Sequence, residues 1–142
     1  MKVLVNNKKQ NEGLLSNAFS LKDVVTQVFS TCKKMEGETA FLNDVPDGLF
    51  LYNDPRLVGS VLNSLVSSII KETPGRAIRI AAKIYTNIIL LHIKQECEEQ
   101  TNVSMNELQT LALQINGIVN ITSFRANITT FAFSFPNTQP VN

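Results

Sequence analysis

Residues Asp54 to Pro74, DPRLVGSVLNSLVSSIIKETP, spell out a helix with both ends marked. Asp54 is placed to cap it, its carboxylate accepting from a free amide of the first turn, and Pro55 suits a first-turn position whose amide has no helical partner. Apolar residues then fall at Leu57, Val58, Val61, Leu62, Leu65, Val66, Ile69 and Ile70, the paired repeat that lays a continuous stripe along one helix face. Thr73-Pro74-Gly75 ends it, because proline cannot continue the backbone ladder. The other side carries Gly59, Ser60, Asn63, Ser64, Ser67 and Ser68. These are small and uncharged, fit either for the floor of a binding site or for a plain solvent or partner face.

Downstream, Ile78, Ile80, Ala82 and Ile84 alternate with Arg79, Ala81, Lys83 and Tyr85, which predicts a strand with one buried face. Thr86-Asn87 turns the chain. Ile88 to Lys94 reads as its partner strand, apolar on both faces near its start, so a central position with cover on both sides or partial exposure of one is expected. QECEEQTNV, Gln95 to Val103, reads as a polar, acidic loop. Ser104-Met105-Asn106-Glu107 has the form of a capping box, opening a helix with Leu108, Leu111, Ala112 and Ile115 inward and Asn116-Gly117 at its end. Val119 and Ile121, then Phe131, Phe133 and Phe135, mark a closing hairpin around Arg125 to Asn127.

Upstream, Leu14 to Phe19 suits a short strand, and Ser20-Leu21-Lys22-Asp23 is a capping box for a helix with Leu21, Val24, Val25, Val28, Phe29 and Cys32 on one face. Thr39 to Asn43 and Leu49 to Tyr52 read as short strands on either side of a Pro46-Asp47-Gly48 turn. Residues 1–13 are expected to be a lead-in or linker, 14–136 the domain and 137–142 a tail. Strands with three amphipathic helices gathered on one side predict an α+β fold, a two-layer sandwich whose mixed, mostly antiparallel sheet is covered on one side by the helices.

At 142 residues the chain matches one domain of about 100 to 200 residues, long enough to bury a core. A hydrophobic fraction of 44% with a formal net charge of +1 places it among soluble globular domains and gives no electrostatic reason to expect nucleic acid or membrane insertion. Val3-Leu4-Val5 is too short for a signal peptide and Ile88 to Leu91 too short to span a bilayer, so a cytoplasmic location is expected. The two cysteines, Cys32 and Cys97, lack zinc or redox spacing and are expected to be reduced.

The central helix with its following strand pair resembles the ATP-binding domain of sensor histidine kinases, a branch of the superfamily that includes gyrase, Hsp90-type chaperones and MutL. Asp54, Arg56, Leu57, Leu65, Thr73 and Pro74 match the pattern of that family's helix, while Ser64 and Ser68 stand where two asparagines would be, the second of which helps hold magnesium on the phosphates. The order of elements matches from about Leu14 to Pro136, including the strand Val119 to Ser123 and the Phe-x-Phe-x-Phe-Pro ending. The resemblance implies the same fold, known as the Bergerat type, and a place in two-component signal transduction.

It also implies a nucleotide site, whose parts are altered here. In the family an aspartate accepts from the adenine amino group, and two glycines beyond it let the backbone approach the base; Gln95, Cys97 and Glu99 occupy those positions. A Gly-x-Gly segment entering the last long helix offers amides to phosphates; Asn102 and Ser104 stand there. A mobile lid normally separates the two glycine segments, but only Gln100 and Thr101 lie between Glu99 and Asn102. Glu96, Glu98 and Glu99 place carboxylates where phosphates would lie, and Ser68 is a far weaker ligand for a hard cation than the asparagine it replaces.

Ser64, Ser68, Gln95, Cys97, Glu99, Asn102 and Ser104 are thus the expected vestigial nucleotide site, with no catalytic residue, no metal and no cofactor. The resulting expectation is a non-catalytic, degenerate histidine-kinase-like domain acting as a binding or scaffolding module toward a protein partner in a signalling pathway. The alternatives are a weakly active kinase domain binding ATP and magnesium, and a dimerisation domain, with a homodimer, in a larger receptor. His92 reads as a strand histidine and the acidic run as a solvated loop, since QECEEQ lacks the alternating oxygens and turn glycine of a calcium loop.

Overall fold

The computed structural model describes residues 18–35, 39–72 and 76–138. Along them run β1 (Ala18–Ser20), α1 (Leu21–Met35), β2 (Phe41–Asn43), β3 (Phe50–Tyr52), α2 (Pro55–Glu72), β4 (Ile78–Tyr85), β5 (Ile88–Glu96), α3 (Asn106–Ala112), a 3-10 turn (Leu113–Ile115), β6 (Ile118–Arg125) and β7 (Ile128–Pro136). The predicted lead-in, the first residues of the predicted first strand, the Thr73-Pro74-Gly75 stop and most of the tail lie outside the described residues.

Helix α2 forms where its caps and stripe put it. The Asp54 carboxylate accepts from the Arg56 amide at 2.9 Å and the Asp54 carbonyl from the Val58 amide at 3.0 Å. Seven of the eight predicted stripe residues are buried, and Leu57, at the exposed first turn, is half-buried. Helix α1 is capped as its sequence requires, with the Asp23 amide donating to the Ser20 hydroxyl at 3.2 Å. Its Leu21, Val25, Val28, Phe29 and Cys32 are buried.

The main sheet has the order β2-β4-β5-β7-β6, with β2 parallel to β4 and every other neighbour antiparallel. Its inner face is built in cross-strand rows: Ile80, Ile93, Phe131 and Ile121 form one, Ala82, Leu91, Phe133 and Val119 the next. Helices α1, α2 and α3 cover this face, and Leu65 and Phe133 are both fully buried between the layers. The α+β sandwich expected from the sequence is therefore the observed architecture. A second sheet pairs β1 with β3, and the chain end clips onto it: Thr138 donates its amide to the Tyr52 carbonyl at 2.7 Å, and Tyr52 donates to the Asn137 side chain at 2.8 Å.

The short strands on either side of Pro46-Asp47-Gly48 belong to different sheets, β2 joining β4 and β3 joining β1. Two local expectations are corrected. Strand β5 continues through Glu96, so Gln95 is a strand residue, flanked by Ile78 on one side and Thr129 on the other. Ladder bonds on both sides outweigh the polar composition that suggested a loop. Ser104 does not cap α3, whose N-cap is Met105, already helical at φ −92° and ψ −12° with no side-chain cap. The helix starts one residue too late for the Ser104 hydroxyl to serve it. At its far end Asn116 takes φ +57°, and Gly117 passes so close to the sheet that a Cβ there would sit 3.0 Å from the Phe133 ring and from the Ser134 carbonyl.

Candidate functional site

The small polar residues of α2 divide between two neighbours. Gly59, Asn63 and Ser67 face α1: a Cβ on Gly59 would lie 3.6 Å from Val24, and the buried Cys32 thiol sits 3.5 Å from Asn63 Oδ1 and 3.6 Å from the Ser67 hydroxyl. Burial pushes the Cys32 thiol above its ordinary value, partly offset by the Ser67 bond. Ser64 and Ser68 instead line a cleft of about 510 Å³ between α2 and α3, in the volume range of small-molecule sites.

That cleft has an apolar side, Val103, Leu108 and Leu111, and a polar rim that includes Lys71, Glu72, Ser104 and Glu107. Two carboxylates against one ammonium leave it with no cationic excess for a triphosphate. The Ser68 hydroxyl donates back to the Ser64 carbonyl at 2.8 Å, so its proton is engaged with its own helix. Among the described residues no group of three or more His, Cys, Asp or Glu side chains is placed to hold a metal ion.

Gln95 and Cys97 do not reach this cleft. Both are buried on the inner side of the sheet, in a polar cluster with Thr101 and Thr129. The Thr101 hydroxyl donates to Gln95 Oε1 at 2.5 Å, the Thr101 amide donates to Thr129 Oγ1 at 3.1 Å, and the Cys97 sulfur lies 3.0 Å from that same hydroxyl. The Cys97 amide donates to the Asn127 carbonyl at 2.9 Å. A buried polar group is stable only when paired, and here several of the partners come from within the cluster. Thr101 is anchored through both its amide and its hydroxyl, while the neighbouring Gln100 is exposed.

Glu99 and Asn102 lie apart from both groups, on a hollow of about 320 Å³ shared with Glu72, Arg76, Glu98, Gln100 and Thr101. Arg76 pairs with Glu98 at 3.2 Å, an exposed bridge of small energetic weight. The seven residues singled out in the sequence thus fall into three sets: Ser64, Ser68 and Ser104 on the cleft, Gln95 and Cys97 in the buried cluster, Glu99 and Asn102 on the acidic hollow. Thr129 and Thr101 are the members that sequence reasoning missed. A signal existed for Thr129, which shares the inward parity of Phe131, Phe133 and Phe135 and so places a hydroxyl on a core face.

No protein-family model and no curated protein matches the chain. Solved structures do. The chain is similar to a mycobacterial sensor histidine kinase, MprB, at 11% identity and TM-score 0.68, covering 88% of this chain and 100% of that one. It is similar to the catalytic domain of histidine kinase ThkA at 15% identity and TM-score 0.70, over 87% and 98% of the two chains. Full-length ShkA in complex with AMPPNP aligns at 13% identity and TM-score 0.71, over 89% of this chain and 32% of that one. The fold is that of histidine-kinase catalytic domains, as the sequence pattern implied.

Proposed function

We propose, from a fold shared with histidine-kinase catalytic domains, that this domain is a non-catalytic member of that architecture which binds a protein partner in a two-component-type signalling pathway and does not use ATP. The observation that carries the reading is the closed cluster of Gln95, Cys97, Thr101 and Thr129. Gln95 and Cys97 stand where the resemblance puts the adenine-reading aspartate and a glycine, and their side chains are fully paired within the protein. A base could enter only by breaking those bonds and lifting Thr101. The altered ligand Ser68, the absence of cationic excess in the α2–α3 cleft and the two-residue bridge point the same way. Binding of a partner is supported by a structural neighbour: histidine kinase ThkA has been crystallised in complex with the response regulator TrrA, and this chain covers 42% of that chain at TM-score 0.69. A cytoplasmic location fits this role, and no described helix is long and apolar enough to cross a membrane.

The open α2–α3 cleft favours a second reading, in which a nucleotide still binds weakly beside Ser68. A thermal titration separates the two. A ligand at one hundred times its dissociation constant stabilises the folded state by about 2.7 kcal/mol. We expect ATP with magnesium at millimolar concentration to leave the melting temperature unchanged; a magnesium-dependent rise that Ser68→Ala abolishes would establish the second reading instead.

A further inference from the structure

The face of the main sheet turned away from the helices carries no covering layer among the described residues, and it is not uniform. Near its centre is a cavity of about 480 Å³ lined by Ala81, Lys83, His92, Lys94, Thr122, Ser123, Arg125, Ala126, Ile128 and Thr130. Small residues, Ala81 and Thr130, and long cations line it together, with the exposed turn residue Ala126 at one end. We propose that this cavity is a binding site for a small, multiply charged anion of phosphate type.

Three features of the cavity carry this. Its charged lining is entirely cationic, and Lys83, Lys94 and Arg125 form none of the ion pairs seen among the described residues. The neighbouring Arg79, by contrast, is neutralised by Asp44 at 3.0 Å. Second, the ladder slips between Ile121 and Ser123, and this bulge lets two consecutive residues, Thr122 and Ser123, line the same cavity. In a regular strand they would point to opposite faces. Third, His92 lies inside the ring of cations: burial, and then the charges of Lys94 and Lys83, hold its imidazole below the ordinary value. Like charges brought together in a concavity are complementary to an anion, and the Ser123 hydroxyl beside them suits a phosphoryl oxygen, whereas the Thr122 hydroxyl donates to the Thr130 carbonyl at 3.2 Å.

The chemistry also selects the size of the ligand. A cavity of this volume admits a phosphorylated small molecule, whereas a formal net charge of +1 offers no extended basic surface for nucleic acid. The charged groups around His92 are Lys83 and Arg79 on β4 (the latter paired with Asp44), Lys94 and Glu96 on β5 and Arg125 on β6; β7 has no ionisable side chain. Glu96 stands in the row of Ile128 and Arg125 at one end and does not line the cavity. A bound anion offsets the lysine charges and so raises the His92 pKa, and the imidazole takes up a proton more readily with the anion in place.

The test uses inorganic pyrophosphate without magnesium, followed by NMR. Saturable shifts are expected at Ala81, His92 and Thr130, and the His92 imidazole should titrate at a higher pH with pyrophosphate bound than without it. Lys83→Ala with Lys94→Ala should weaken binding by about tenfold or more, with an unchanged urea midpoint as evidence of intact folding. Arg79→Gln should leave binding as it was, because that guanidinium is already paired. Absence of saturable shifts, or equal affinity in the double variant, would overturn the site. A DNA duplex that binds more tightly than pyrophosphate, with a steep salt dependence, would overturn it in favour of a nucleic-acid surface. Neither result bears on ATP binding at Ser68, which lies on the opposite side of the sheet.

Discussion

Two polar regions of the molecule, one on the sheet and one between helices, are built differently. In the cluster of Gln95, Cys97, Thr101 and Thr129 the side chains are buried and their polar atoms bond one another. In the cleft between α2 and α3, Ser64, Ser68 and Ser104 face open volume above an apolar side of Val103, Leu108 and Leu111. The difference lies in packing: in one region Thr101 turns inward to bond Gln95 and Thr129, while in the other the short helix α3 leaves open volume beside α2.

The largest expected effect lies on the core side of the helix that borders the cleft. Leu65 is fully buried, one residue from Ser64, and Leu65→Ala should cost about 2 to 5 kcal/mol through lost transfer energy and a residual cavity. An unchanged urea midpoint would mean that the wrong face of α2 has been taken as its core face. A smaller loss is expected in the closed region. Thr129→Val keeps the shape but removes the oxygen that accepts from the Thr101 amide, and should cost about 1 to 3 kcal/mol. Hydrogen exchange at Thr101 should then accelerate well beyond the change at Phe131; equal protection in both proteins would show that the bridge is held by something other than this cluster. The smallest effect belongs to the cleft. Ser68→Ala removes only a hydroxyl bonded within its own helix turn, so a change within about 0.5 kcal/mol is expected. A loss as large as that of Thr129→Val would erase the contrast between the open and closed halves.

Periodicity and capping residues were enough to place α1, α2, the β4–β5 pair and the β6–β7 hairpin, because each depends on neighbours close in sequence. The aromatic parity of Phe131, Phe133 and Phe135 likewise marked the inner face of β7. Gln95 was misplaced for a physical reason: its composition is that of a loop, but two strands distant in sequence bond its backbone, and Thr101 satisfies its side chain. The failed Ser104 cap has the same character, since a one-residue delay in the start of α3 is invisible to a motif.

What the sequence determined by itself is therefore the set of amphipathic elements and the layer they form. Only the tertiary structure decided how the candidate site residues are shared out. Seven residues aligned to one site separate into a cleft, a buried cluster and an acidic hollow, and the order of the strands gathers Lys83, His92, Lys94 and Arg125 around one cavity on the far face. The physical reason is that helix and strand periodicity are local, whereas the pairing of buried polar groups and the convergence of charges depend on which strands become neighbours, and that is set by the packing of the whole chain.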